Sequence, residues 1–179
     1  VIGVVANTFS TNVLRSDGTV TQWGRSYNTV GQSNIDSGYQ HTVALKNDGT
    51  VWSWGRNNYG QLGDGTNNDS EVPVQVSGLT GIIKVEAGAH HNLALKNDGT
   101  VWSWGRNNQG QLGLNVGSSY TAATLNNALA GVITLGAGHE DSFAVAEDNN
   151  IYTFGRNNRG QQGRNNTTIA FTPQYTTNL

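Results

Sequence analysis

Arginine follows glycine at four evenly phrased places in this chain, Arg25, Arg56, Arg106 and Arg156. A guanidinium is planar and permanently charged, so a ring of four could hold a carboxylate or a phosphate through paired hydrogen bonds. Each arginine recurs together with the apolar letters around it, however. A residue that repeats with the packing letters is expected to tie its loop to backbone carbonyls or to a neighbouring acid. Gln61 and Gln111, in the phrase GQLG, read the same way: the amide satisfies loop backbone while Leu62 and Leu112 pin the loop to the core. The last copy reads GQQG, and Gln162 in the leucine slot predicts a loop that is poorly buried or meets a different neighbour.

Metal and catalytic chemistry find less support. His41 and His91 share a slot, filled by Asp141 in the last copy, and read as satisfied histidines at the entrance of a strand. His90 and His91 are adjacent and therefore point to opposite sides of a strand, which prevents joint chelation. The loop DGTNNDSE at 64–71 offers Asp64, Asn68, Asp69 and Glu71 as oxygen ligands for calcium, but it lacks the glycine and terminal spacing of an EF-hand. With no cysteine there is no disulfide, thiolate nucleophile or cysteine-bound zinc, and no serine stands in a convincing His/Asp framework. The expectation is a protein that is not an enzyme and carries no metal or cofactor.

Positions that change inside the constant phrase are better candidates for recognition. Tyr59, Gln109 and Arg159 occupy one slot, and Tyr27 lies close to it in the first copy. A slot released from packing can make contacts, and Tyr and Arg are favoured at interfaces. Tyr39 and His90 join them as candidate binding residues.

The elements that must carry these residues are repeated. Residues 44–58 and 94–108 both read ALKNDGTVWSWGRNN, with weaker copies VLRSDGTVTQWGRSY at 13–27 and AVAEDNNIYTFGRNN at 144–158. Gly55, Gly105 and Gly155 are spaced by fifty residues, whereas Gly24 and Gly55 are only 31 apart, so the first connection has lost most of one segment. Within a repeat, LALK and TVWSW are β-branched and aromatic runs flanking Asn-Asp-Gly, which predicts a tight hairpin with Asp48-Gly49 and Asp98-Gly99 at positive φ. Further strands fit 82–87 and 131–137, and a fourth fits 72–76, with Pro73 confined to a sheet edge. The chain therefore reads as all-β: a β-propeller, complete or partial, of about four four-stranded blades at approximately 1–30, 31–76, 77–126 and 127–179 in a single domain. Trp52/Trp54, Trp102/Trp104 and Tyr152/Phe154 place rings at equivalent slots, as packing between blades requires.

At these residues the chain resembles the regulator of chromosome condensation repeat family, whose blades read like ALxxDGxVWxWGxNxxGQLG, and the resemblance covers nearly the whole chain. It implies a propeller, in that family usually of seven blades. Its activities are diverse: nucleotide exchange on a small nuclear GTPase, ultraviolet sensing, β-lactamase inhibition and scaffolding. Exchange depends on a basic arm and a protruding β-wedge, and neither insertion is present. The photoreceptor's GWRHT is GYQHT at 38–42, where Tyr39 and Gln40 replace both critical residues. The β-lactamase inhibitor has shorter repeats.

Composition narrows the partners. Only 12% of residues are charged and the net charge is −2, so no broad field draws in nucleic acid, and no apolar run is long enough for a membrane-spanning helix. The absence of methionine points to a processed or excised product. A terminal blade without a neighbour exposes an apolar face and strand edges, which leaves three resolutions: pairing with another copy, belonging to a longer chain, or closing as a four-bladed ring. The expected function is a non-enzymatic module, microbial and extracellular or surface-displayed, that holds a protein partner or copies of itself. The alternative ligand is a sugar, gripped lectin-fashion by Trp, Asn and Gln of repeated loops.

Overall fold

A computed structural model describes residues 3–6, 11–15, 20–22, 25–27, 32–115 and 117–176. Among them the chain forms four antiparallel meanders of four strands each. The first contains β1 (Gly3–Ala6), β2 (Thr11–Leu14), β3 (Val20–Gln22) and β4 (Arg25–Tyr27). The second contains β5 (Gln32–Ser37), β6 (His41–Lys46), β7 (Val51–Gly55) and β8 (Ser70–Gln75). The third contains β9 (Ile82–Ala87), β10 (His91–Lys96), β11 (Val101–Gly105) and β12 (Tyr120–Leu125), and the last β13 (Val132–Ala137), β14 (Asp141–Ala146), β15 (Ile151–Gly155) and β16 (Ala170–Tyr175). These sheets are the blades of a propeller.

Packing between blades explains the repeated phrase. Trp54, Trp104 and Phe154 are buried, and two core clusters each join one blade to the next, while Trp54 packs with Ile35 and Ala44 of its own blade. Trp104 packs with Val43, Leu45 and Val51 of the preceding blade, and its indole N–H donates to the Gln61 carbonyl (3.0 Å). Phe154 packs with Leu93, Leu95 and Val101 in the same manner. A ring of this size removes well over 100 Å² from water, so each aromatic slot adds several kcal/mol of order-of-magnitude stabilisation, and the same slot must be filled at every blade junction.

Polar side chains stitch the junctions where strand edges meet. The Val85 N–H donates to Asn34 Oδ1 (3.0 Å) and the Ala87 N–H to Asp36 Oδ2 (2.8 Å), so side chains of β5 satisfy the free edge of β9. At the next junction Lys84 Nζ donates instead, to Leu135 O (2.8 Å) and Thr134 Oγ1 (3.0 Å).

Local geometry departs from the sequence expectations in four respects. The hairpin turns place positive φ at Gly49 (78°) and Gly99 (80°) but not at the preceding aspartates. Gly49 N–H bonds to Lys46 O (2.9 Å), closing a turn followed by one left-handed residue, while Asp48 Oδ1 caps the Thr50 N–H (2.9 Å). The fourth strand of the second blade is β8, beginning at Ser70 rather than 72 and ending at Gln75. In the first blade the Arg25–Tyr27 segment, which is loop in the other copies, pairs directly with β3 and serves as the fourth strand. Finally, Gln162 is buried: its Nε2 donates to Arg156 O (3.2 Å) and its Oε1 accepts from Arg164 Nε (2.9 Å). The neighbour-dependent residue is Gln161, which is exposed, whereas Gln61 and Gln111 are covered by the following blade.

Candidate functional site

Two sets of loops emerge at one end of the blades: 38–40, 88–90 and 138–140 before the second strand, and 56–60, 106–110 and 156–160 after the third. Backbone bonds clamp them together, from Arg56 N to Gln40 O (2.8 Å), Arg106 N to His90 O (2.9 Å) and Arg156 N to Glu140 O (2.8 Å). The glycine before each arginine makes this approach possible. Gly105 has φ 98°, and a Cβ there would lie 2.5 Å from His90 O. The glutamine amides finish the loops as expected, accepting from the Tyr59 N–H (2.8 Å) and the Gln109 N–H (2.9 Å).

Three of the candidate binding residues converge on this end. The Tyr39 ring, 40% exposed, lies 5.8 Å from His90 and 5.9 Å from His139, and Tyr59 lies 5.2 Å from His90. The Arg106 guanidinium stands over the Tyr59 ring at 4.9 Å. Arg106 also donates to Glu140 Oε1 (3.3 Å), and Arg156 donates to the other oxygen of the same carboxylate (2.7 Å). Arg56 donates to Gln40 Oε1 (2.5 Å). The arginines are therefore tied to carbonyls and, in two cases, to an acid, as their recurrence suggested; the side chain of Arg25 lies outside the described residues.

Gln109 and Arg159 occupy the Tyr59 slot of later blades, and neither belongs to this ring cluster; Arg159 is exposed. Tyr27 lies in the edge strand β4 rather than on a loop tip, and its side chain is outside the described residues. His139 and Glu140 were not singled out from sequence as contact residues. The available signal was the pair of slots 39/89/139 and 40/90/140, which read Tyr, Ala, His and Gln, His, Glu after a constant glycine at 38, 88 and 138.

Electrostatics separate the histidines. His41 and His91 are fully buried, and burial lowers their pKa to about 4 and about 3. Each belongs to a relay between blades. Asn92 donates to Gln61 O (2.8 Å) and accepts from His41 Nε2 (2.9 Å); Ser142 donates to Gln111 O (2.8 Å) and accepts from His91 Nε2 (2.9 Å). These partners fix the neutral Nε2–H tautomer, so both are structural. His90 is half-buried, and its pKa is lowered first by burial and then by the Arg106 and Arg56 guanidiniums. The carboxylates of the acidic loop are engaged internally: Asp64 Oδ1 accepts from Thr66 N (2.9 Å) and Asn57 Nδ2 (3.2 Å), and Asp69 Oδ1 from Asn57 N (2.7 Å). Among the described residues no His/Asp/Glu group is arranged to hold a metal.

The pattern of the Regulator of chromosome condensation (RCC1) repeat matches residues 48–95 and 98–145, and a second pattern of the same description matches 33–61 and 82–111. The chain belongs to this family. No curated protein sequence matches the RCC1-repeat chain. Its fold is similar to that of Prp20p from Saccharomyces cerevisiae, with a TM-score of 0.86 at 21% identity over 99% of this chain and 50% of that one. Human WBSCR16 aligns with a TM-score of 0.81 at 18% identity over 96% of this chain and 50% of the other. The ectodomain of the Physcomitrella patens receptor kinase CR4 aligns less closely, at 0.58 and 16% identity, over 86% and 41%. At these identities the likeness concerns the fold, and the RCC1-repeat chain spans about half the length of the first two.

Proposed function

We propose that this chain is a non-enzymatic protein-binding module that grips its partner with the loop end of the blades. The observation that carries the reading is the convergence of Tyr39, Tyr59 and His90, from two blades, into one partly exposed aromatic patch flanked by Arg56 and Arg106. Aromatic rings held by a rigid frame and bordered by guanidiniums offer large contact area at little entropic cost, the composition of interface hot spots. The binding of Gsp1p and histones by the similarly folded Prp20p supports a protein as ligand. The test compares wild type with a Tyr39→Ala/Tyr59→Ala double variant in cross-linking capture from the source cells. A protein retained by the wild type and lost from an equally stable double variant is expected; identical capture by both rejects the reading.

A second surface supports association of blades. Val4, in the slot of the buried Ile35 and Val85, is 60% exposed on the first blade. On the last blade Phe143, Val145 and Ile151 are half-buried where Leu93, Leu95 and Val101 are fully covered. Each is the kind of face that an adjoining blade covers elsewhere in the chain, and we assign it to self-assembly, in which the last blade of one copy packs on the first blade of another.

A further inference from the structure

Of the three equivalent loop-end slots 40, 90 and 140, which read Gln, His and Glu, the last alone sets a carboxylate beside the arginines. Position 140 lies between Arg106 of the preceding blade and Arg156 of its own, and Glu140 accepts from both, at 3.3 and 2.7 Å. Position 90 is the same slot one blade earlier, between Arg56 and Arg106, and it carries His90. The geometry repeats: Arg106 N bonds to His90 O as Arg156 N bonds to Glu140 O. Burial first, and then the two guanidiniums, lower the pKa of the imidazole from its ordinary value. Arg56 thus turns to the neutral Gln40 amide, and Arg106 leans over Tyr59. Two permanent cations flank one junction whose own slot supplies no carboxylate, in a chain of net charge −2. Beside them lie the exposed face of Tyr39 and the rings of Tyr59, His90 and His139.

We propose that an acidic segment of a partner protein supplies the missing carboxylate between Arg56 and Arg106, with a flanking aromatic or prolyl side chain lying on Tyr39, Tyr59 and His90. The proposal rests on the protein-binding reading and names the chemistry of the partner. Glu140 shows the geometry an incoming carboxylate adopts, bridging guanidiniums of successive blades. Charge-assisted hydrogen bonds of this kind are roughly twice as strong as neutral ones, and they discriminate strongly against the isosteric amide.

The probe is a fluorescein-labelled Glu-Tyr-Glu-Pro-Glu-Tyr-Glu peptide, read by fluorescence anisotropy against a control with every Glu replaced by Gln. The acidic peptide is expected to bind about tenfold more tightly than the control, and Arg56→Gln or Arg106→Gln to weaken it about fivefold or more. His90→Glu is the decisive variant. It places a carboxylate in the slot as Glu140 does, so it is expected to raise the melting temperature and weaken the acidic peptide about tenfold. Lys46→Gln, at the opposite end of the blades, removes one charge and should leave affinity within about twofold. Equal binding of both peptides, no binding of either, or unchanged affinity in a folded His90→Glu variant overturns the proposal. So does tighter, Arg56-dependent binding of a single-stranded oligonucleotide, which assigns the cleft to phosphate. If capture that depends on Tyr39 and Tyr59 persists while peptide charge has no effect, only the acidic-partner inference fails.

Discussion

At the scale of residues, the two buried relays make stability depend on pH. His41 and His91 remain neutral in the fold down to about pH 4 and about pH 3, whereas in the unfolded chain both take a proton near 6.5. Below pH 6.5 the unfolded state therefore binds more protons, and stability falls until the folded histidines titrate. The two together withdraw on the order of several kcal/mol between pH 6.5 and pH 4. Asp36 and Asp141, raised by burial, act weakly in the opposite sense. Thermal denaturation across this range is expected to show a falling midpoint, with a shallower slope in His41→Gln; a flat profile contradicts the buried neutral state. Gly105 carries a second prediction at this scale. Alanine there must adopt φ near 98° and place its Cβ 2.5 Å from the His90 carbonyl, so Gly105→Ala is expected to cost about 2–4 kcal/mol in chemical denaturation.

At the scale of elements, much of each blade was written in its sequence. β-branched and aromatic runs around Asn-Asp-Gly identify the second and third strands, because side-chain alternation and turn chemistry act over a few residues. The turn type was misread: one left-handed residue suffices when a three-residue loop is used, and Asp48 caps rather than occupies it. The last blade shows the consequence. Asn149 stands in the glycine slot at φ 64°, so Asn149→Gly is expected to stabilise the chain by about 0.5–1 kcal/mol, measured as a shift of the urea midpoint at unchanged m value. Arg25–Tyr27 becoming a strand was not legible either. That segment has the letters of a loop, and only the shortened connection leaves it as the available partner for β3.

At the scale of the whole molecule, each blade needs a neighbour on both faces. The inner blades have two, and burial of Leu93, Leu95 and Val101 is complete; on the last blade the matching Phe143, Val145 and Ile151 remain half-covered. Self-association through this face predicts a mass above that of one chain in light scattering. Phe143→Glu is expected to shift the protein to monomer without unfolding it, since the side chain is not enclosed in the isolated copy. A wild type that is monomeric at high concentration rejects the association. The same long-range order decides the site. Tyr39 meets His90 and His139 because three successive blades present equivalent loops at one end.

The amino-acid sequence by itself determined the repeat, the all-β class and the aromatic slots between blades, since each follows from short-range periodicity repeated at fixed spacing. It also marked the slot of Tyr59 as free to vary and named Tyr39 and His90 as candidate binding residues. Their convergence and the bridging of Arg106 and Arg156 by Glu140 were decided only by tertiary structure. Residues fifty positions apart come into contact through the rotation between blades, and no local pattern encodes which side chain of one blade faces which arginine of the next.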